Sequence, residues 1–361
     1  MTSQNSIKHI TAEQLRQFVA KLFNASGSSD YEANIVADHL IDANLKGHDS
    51  HGAIRAKKYI EWVQNGQLIP NQRMSVIVNN PSIVVVDGNF GYGQVIGKEA
   101  MDCAIEKTKS VGFCALAIRN AGHLGRIGAW AEQLAEVGLI SFHFVNTSGF
   151  GILVAPHGGS DRRLSANPIA AGVPVRNGKP IILDIATSVV AEGKIQISRN
   201  KKEQLQKGLI IDGYGKPTTD PEQFYASPPG AIFPFGGHKG SGLSLMCEVL
   251  AGSLTGGASS HPENNTASRL VNNMLTIAFN PSAFSANFFD ADVSRLIEWT
   301  KASPPLEPNT EVLLPGELEN RTQKIRSRDG IPIDIETLRQ LLEVAHNLKI
   351  TIPPEMENYN G

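Results

Sequence analysis

Residues 91–97 read Gly-Tyr-Gly-Gln-Val-Ile-Gly, GYGQVIG. They follow an apolar run, Ile83-Val84-Val85-Val86, that ends in Asp87, and they precede a helix-like stretch from Lys98 to Lys107. Strand, glycine loop and helix in that order are the setting in which a dinucleotide pyrophosphate is gripped at a helix N-terminus. The question is whether these glycines hold a dinucleotide.

Two features weigh against the pyrophosphate. The spacing is GxGxxxG, one residue longer than the usual fingerprint. The next strand, FCALAIRN, ends in Arg119-Asn120 and not in the acid that would hold a ribose 2′-hydroxyl. An arginine at that place suits a 2′-phosphate, so chemistry alone leaves the loop open. The alternative is a glycine-rich turn packed near another backbone.

Outward from the loop, strand-like runs recur at 74–79, 82–87, 113–119, 139–146, 180–185 and 273–279, with helices predicted near 94–110, 126–137, 188–206 and 241–255. This is α/β or α+β texture. The first 65 residues read as helical. Thr11-Ala12-Glu13-Gln14 is a capping box, and Leu15, Phe18, Val19, Leu22 and Phe23 follow at helical spacing. A second helix opens at Ser29, and a third runs from about Ala53 to an Asn65-Gly66 stop. From about 318 the chain turns helical again, with Leu338, Leu341, Leu342 and Ala345 on one face. The two ends are therefore expected to form one helical domain (1–73 and 318–361) around an α/β domain (74–317). Residues 208–235 and 256–268 read as loops.

The chain has 361 residues, 41% hydrophobic and 19% charged, and a formal net charge of −2. No basic block marks a nucleic-acid surface. The N-terminus is too polar for a signal peptide, and no apolar run approaches the ~20 residues that span a bilayer. Cys103, Cys114 and Cys247 form no CxxC pair. Reduced thiols in the cytoplasm are the expectation.

Histidine stands beside glycine three times: Gly47-His48-Asp49-Ser50-His51-Gly52, Gly122-His123-Leu124-Gly125 and Gly237-His238-Lys239-Gly240. An imidazole exchanges a proton near neutral pH, and flanking glycines let a ligand approach the backbone. His48 and His51 also have zinc-ligand or capping readings, without an HExxH motif or a nearby cysteine. His123 sits at a strand's end, where α/β proteins often place chemistry, or else serves a turn. His238 and Lys239 precede a helix whose free N–H groups suit an anion. Arg55 lies one helical turn after His51, where it either takes a carboxylate through its fork or is solvated. Neither a GxSxG elbow nor a P-loop is present.

In order along the chain, GHDSHGAIRAKKYIEWVQNG, GHLGRIGAWAEQLAEVG, VAPHGG, LDIATSVVAEGK, GGHKGSGL and LLPGE resemble the type 2 malate/L-lactate dehydrogenase family, also called L-sulfolactate dehydrogenase-like. The resemblance runs from about residue 10 to about residue 350. It implies NAD- or NADP-dependent interconversion of 2-hydroxy and 2-oxo acids. Some relatives reduce cyclic imines or oxidise ureidoglycolate. It also implies a non-Rossmann cofactor domain around a largely antiparallel or mixed sheet, a helical domain from both chain ends, and a cytoplasmic homodimer with sites near the subunit interface. On this reading the cofactor lies away from GYGQVIG.

Carried over by position, His123 is the acid/base histidine. His48, the first histidine of GHDSHG, lines the nicotinamide and substrate pocket and is the second catalytic residue, polarising the same oxygen or orienting the substrate, and Arg55 pairs with the substrate carboxylate. The cofactor is expected on Gly122, Leu124, Thr147, Asp184, Ala186, Thr187, His238, Lys239, Leu314, Pro315, Gly316 and Glu317, with Asn272 also reaching it. The family's usual RLGTNP reads Arg163-Leu164-Ser165-Ala166-Asn167-Pro168 here. A serine would be strained if its position needs a positive φ. The rivals are an imine or ureidoglycolate enzyme on the same scaffold, a module that binds NAD(H) or a carboxylate without turnover, and a zinc hydrolase.

Overall fold

The computed structural model describes residues 7–264, 268–284, 287–308 and 310–357. The chain opens with strand β1 (Ile7–Ile10) and helices α1 (Ala12–Ala25), α2 (Asp30–Leu45) and α3 (Arg55–Gln64). Thr11 and Ser29 cap α1 and α2 as their sequences predict, each side-chain oxygen accepting a backbone N–H three residues on. Each cap is worth about 1 kcal/mol. The apolar face of α1, Leu15, Phe18, Val19, Leu22 and Phe23, is fully buried.

The body follows: β2 (Ser75–Asn79), β3 (Ile83–Asp87), α4 (Gly93–Val111), β4 (Phe113–Ala121), α5 (Gly128–Ala135), β5 (Ile140–Gly149), β6 (Ile169–Val173) and β7 (Ile181–Ile185). After α6 (Glu192–Lys201) come short β8 (Ile210–Ile211), β9 (Pro217–Thr218), α7 (Pro221–Tyr225) and β10 (Ala231–Ile232). Then come α8 (His238–Cys247), β11 (Leu270–Phe279), α9 (Phe289–Lys301), α10 (Glu317–Asp329), β12 (Ile331–Asp334) and α11 (Ile335–Asn347).

A seven-stranded sheet runs β2-β3-β4-β11-β5-β6-β7. Its neighbours are antiparallel except β3 and β4. A Rossmann sheet would be parallel throughout its nucleotide-binding halves, so the expected non-Rossmann mixed sheet is the fold found. The one parallel pair is closed by the crossover helix α4, which is why GYGQVIG has the local order of a dinucleotide loop.

The chain ends meet. β1 pairs antiparallel with β12. A single apolar cluster gathers residues of α1 to α3 with Ile331, Ile333, Leu338, Leu341, Val344, Ala345 and Met356. Tyr92 and Val95, from the start of α4, belong to the same cluster. Arg126 ties this helical layer to the sheet. It is 2% exposed and bonds Asp42 of α2 at 2.8 Å and Glu132 of α5 at 2.6 Å. Lys46 closes the network on the same two carboxylates.

Several readings of the sequence are corrected. The segment 208–235 is no plain loop: β10-β8-β9 form a small antiparallel sheet beside α7. The helix expected over 188–206 is confined to 192–201, because Ser188 bridges to Pro234 and extends the backbone there. The helix predicted near 241–255 starts earlier, at His238, and widens into π-type turns over 248–253. Among the described residues no helix is long and apolar enough to cross a membrane.

Candidate active site

The GYGQVIG glycines pack against protein backbone. The loop before α4 is stitched to the end of β4: Gly88 N donates to Arg119 O, Phe90 N to Asn120 O and Gly122 N to Gly91 O, each at 2.8 Å. A Cβ on Gly93 would stand 2.5 Å from Gly122 O and closer still to His123 O. One on Gly97 would strike the Trp130 indole at 2.5 Å. Gly93, Gln94, Val95, Ile96 and Gly97 are all buried, so the N-terminus of α4 offers no open anion site. Arg119, the residue that would suit a 2′-phosphate, is paired with Asp87 at 2.8 Å. The loop's role in this fold is to hold the backbone that carries His123.

Around His123 three segments converge. His51, Arg55 and Tyr59 lie four residues apart on one face of the turn leading into α3. The His51 ring stacks on His123 with centroids 5.6 Å apart. Tyr59 Oη lies 2.6 Å from His123 Nδ1. Gln94 Nε2, from the glycine loop, donates to Tyr59 Oη and to His123 O, both at 3.1 Å. His123 Nε2 has no hydrogen bond within the chain among the described residues. Arg55 Nε donates to Ser50 O at 2.6 Å. Among the described residues no carboxylate pairs with its guanidinium.

The electrostatics follow from burial beside this cation. Burial first, and Arg55 second, push the His51 imidazole down to about 3 and hold His123 well below its ordinary value. Both rings are neutral at neutral pH. Burial pushes the Tyr59 phenol up to about 12.

The remaining candidates fall into three local groups. Asn272, at a register shift in β11, faces Ala121 and Thr147 on its two neighbour strands. Its Oδ1 accepts from Leu124 N at 2.9 Å and its Nδ2 donates to Thr147 Oγ1 at 3.0 Å, which joins Gly122, His123, Leu124, Thr147 and Asn272. In the second group, Asp184 Oδ2 accepts from Gly128 N at 2.8 Å. Burial raises its carboxyl, opposed by Arg126, by the Gly128 bond and by His48. Pro315 O accepts from Ile182 N of the same strand at 3.1 Å, and Gly316, at φ 91°, lies over Ile182. Leu314 N bonds Glu317, whose carboxylate also holds Lys301. His48 Nε2 is 3.4 Å from Glu319, which places His48 on this second wall, while His51 is the histidine stacked on His123.

The third group is Ala186, Thr187, His238 and Lys239. Thr187 O accepts from Phe235 N at 3.0 Å, next to the Gly236-Gly237 turn that starts α8. His238 and Lys239 are exposed there. A Cβ on Gly242 would meet nothing within 4 Å. Uncovered backbone, a helix N-terminus and a lysine without an ion pair among the described residues fit a pyrophosphate. Asn167 Oδ1 adds a buried acceptor with no partner among the described residues. Ser165 has no positive φ; Asn167 takes that conformation instead, at 27°, so the feared strain at Ser165 is absent. Among the described residues no three His, Cys, Asp or Glu side chains gather as metal ligands.

Tyr59 and Gln94 were not singled out from the sequence, and His51 received no catalytic role. The spacing of His51, Arg55 and Tyr59 was the available signal for two of them.

Residues 10–342 match the sequence pattern described as malate/L-lactate dehydrogenase. Hydroxycarboxylate dehydrogenase B of Escherichia coli (strain K12) is 39% identical over 339 residues, 93% of each chain. The solved structure of malate dehydrogenase from Pyrococcus horikoshii OT3 superposes with a TM-score of 0.86 at 32% identity, covering 97% of this chain and 98% of that one. Delta1-piperideine-2-carboxylate reductase from Pseudomonas syringae pvar. tomato superposes at 0.82 with 29% identity, covering 94% and 100%. The stacked histidines, the unpaired arginine and the mixed sheet are thus found in a chain that belongs to the malate/L-lactate dehydrogenase family.

Proposed function

We propose that the chain is an NAD- or NADP-dependent dehydrogenase that interconverts small 2-hydroxy and 2-oxo acids. The observation that carries this reading is Arg55: a guanidinium free of carboxylate partners among the described residues, close enough to depress His51 and His123. An arginine so placed takes a substrate carboxylate through two parallel N–H bonds. A nicotinamide cofactor, when bound, would supply the hydride chemistry at C2. His123 exchanges the proton of the C2 oxygen through Nε2, since Nδ1 is engaged by Tyr59. Carboxylate binding cancels the Arg55 charge and so raises the proton affinity of His123 when substrate is present. His51 stacks against its ring.

The cofactor would be held by Asn272, Thr147 and Leu124 beside His123, by Asp184, His48 and Leu314 to Glu317 on the second wall, and by Thr187, His238 and Lys239 at α8. The chain would act as a homodimer. Support comes from apolar side chains left bare on and after α8, Leu245 at 57% and Leu254 at 66% exposure, and on α9, Trp299 at 79%.

His123→Ala tests the assignment. Turnover should drop by roughly 10²–10⁴-fold with cofactor affinity nearly intact; full turnover removes His123 from the mechanism. The second reading is reduction of a cyclic imine, favoured by the structural likeness to the piperideine-carboxylate reductase. A panel of hydroxy acids, oxo acids and a cyclic imino acid, followed by the absorbance of the reduced nicotinamide, separates the two.

A further inference from the structure

Gln94 fixes what the Tyr59 hydroxyl can do. Its amide nitrogen donates to the carbonyl oxygen of His123 and to Tyr59 Oη. A carbonyl only accepts, so the nitrogen end of the amide must face this pair. Tyr59 Oη is then an acceptor toward Gln94, and its single proton is left for His123 Nδ1, 2.6 Å away. The reverse arrangement, Nδ1–H donating to Oη, would leave a buried O–H with no acceptor among the described residues, at a cost of about 1–3 kcal/mol. With Nδ1 accepting, the neutral ring carries its proton on Nε2, the nitrogen free of partners among the described residues.

We propose that Tyr59 stands behind His123 as its proton store, so that reduction of a 2-oxo acid moves two protons in file. The Nε2–H bond breaks as an O–H bond forms on the substrate oxygen. The Tyr59 O–H bond breaks as an Nδ1–H bond forms. The hydride and its electron pair come from the reduced nicotinamide cofactor. The ring is neutral before and after. One negative charge is left on Tyr59 Oη, hydrogen-bonded by Gln94, until a solvent proton is taken up at Nε2 and the Nδ1 proton returns to Oη, which restores both the phenol and the Nε2–H ring. Oxidation runs through the same bonds in reverse, from the phenolate.

The surroundings agree with this division of labour. His123 is buried, and burial resists a second proton on its ring even when a bound carboxylate cancels the Arg55 charge. Gln94 donates to Tyr59 Oη, which eases loss of its proton against the larger effect of burial. An aliphatic alkoxide is a stronger base than a phenolate, so the overall transfer runs downhill. Tyr59 is a positioning residue here, acting through His123, and the proposal rests on the assignment of His123 as acid/base.

The test uses the whole chain with ¹⁵N-labelled histidine. Before ligand is added, NMR should show His123 protonated at Nε2 and bare at Nδ1. Tyr59→Phe, nearly isosteric, should mix the two tautomers and lower kcat by roughly 10²-fold with little change in KM for the oxo acid. In mixtures of light and heavy water, the rate of the wild type should follow a curved, two-proton dependence, and that of Tyr59→Phe a straight one. Wild-type His123 protonated at Nδ1, or Tyr59→Phe turning over at the wild-type rate, overturns the relay. An inactive His123→Ala beside a fully active Tyr59→Phe removes the relay and keeps the acid/base assignment. A fully active His123→Ala removes both.

Discussion

Tyr59 Oη and His123 Nδ1 lie 2.6 Å apart across 64 residues of sequence, and the backbone that makes this possible is GYGQVIG. Gly91 accepts the N–H of Gly122, Gly93 lets the helix start press against the His123 carbonyl, and Gln94 bonds both partners of the pair. The loop that looks like a nucleotide grip instead sets the position of the candidate acid/base.

Gly93→Ala should therefore damage catalysis while sparing the cofactor. The added methyl collides with the Gly122 and His123 carbonyls, which costs roughly 1–3 kcal/mol and displaces His123. Steady-state kinetics should show a fall in kcat, and titration with reduced nicotinamide should show an almost unchanged Kd. A large loss of cofactor affinity with normal kcat would return the pyrophosphate to this loop.

Much of the fold was legible because local chemistry agreed with it. Thr11 and Ser29 capped the helices they announce, and Asn65-Gly66 ended α3. What escaped depends on partners distant in sequence. β1 and β12 are strands only because Ile7–Ile10 meets Ile331–Asp334 from the other end of the chain. β6, Ile169–Val173, is short, and its IAAGV sequence carries little strand preference. α9 leaves Leu296 and Trp299 exposed, so its apolar residues do not mark a buried face within one chain. At the site, His123 and Arg55 were named, and the structure sets them near each other. His48 was named as lining the pocket and lies 3.4 Å from Glu319, while the turn at Asp49–His51 brings His51 against His123, a contact the spacing alone does not show.

Stability should fall as pH drops below about 6.5. His143 is fully buried between Thr276 and Ser141, and burial pushes its imidazole down to about 3. His39 and His51 are pushed equally low, and His123 lies well below 6.5. The unfolded chain takes up these protons near 6.5 and the fold does not, so stability is whole above that pH and is lost toward 3. Each ring contributes a slope of at most roughly 1.4 kcal/mol per pH unit. Thermal melts from pH 7 to pH 5 should show a falling Tm; a constant Tm would mean that these rings are charged in the fold.

Arg126→Ala should be among the most damaging single changes outside the site. It leaves the half-buried Asp42 and Glu132 carboxylates to share Lys46, at a cost of about 1.5–3 kcal/mol. Denaturant unfolding measures this directly. A loss below about 1 kcal/mol would show the network to be no stronger than an exposed ion pair.

Arg55→Ala should weaken 2-oxo acid binding by about 2–5 kcal/mol, read as a rise in KM. Arg55→Lys should recover only part of this, because a lysine keeps the charge without the two-pronged geometry. Equal KM values for Arg55→Ala and the parent chain would place the substrate carboxylate elsewhere.

The most direct measurement is a crystal structure of the chain with reduced nicotinamide cofactor and a 2-oxo acid bound. The carboxylate should lie in the fork of Arg55, with the C2 oxygen about 3 Å from His123 Nε2. A 2-oxo acid bound with its carboxylate away from Arg55, or with its C2 oxygen out of reach of His123, would contradict the assignment on which the mechanism stands.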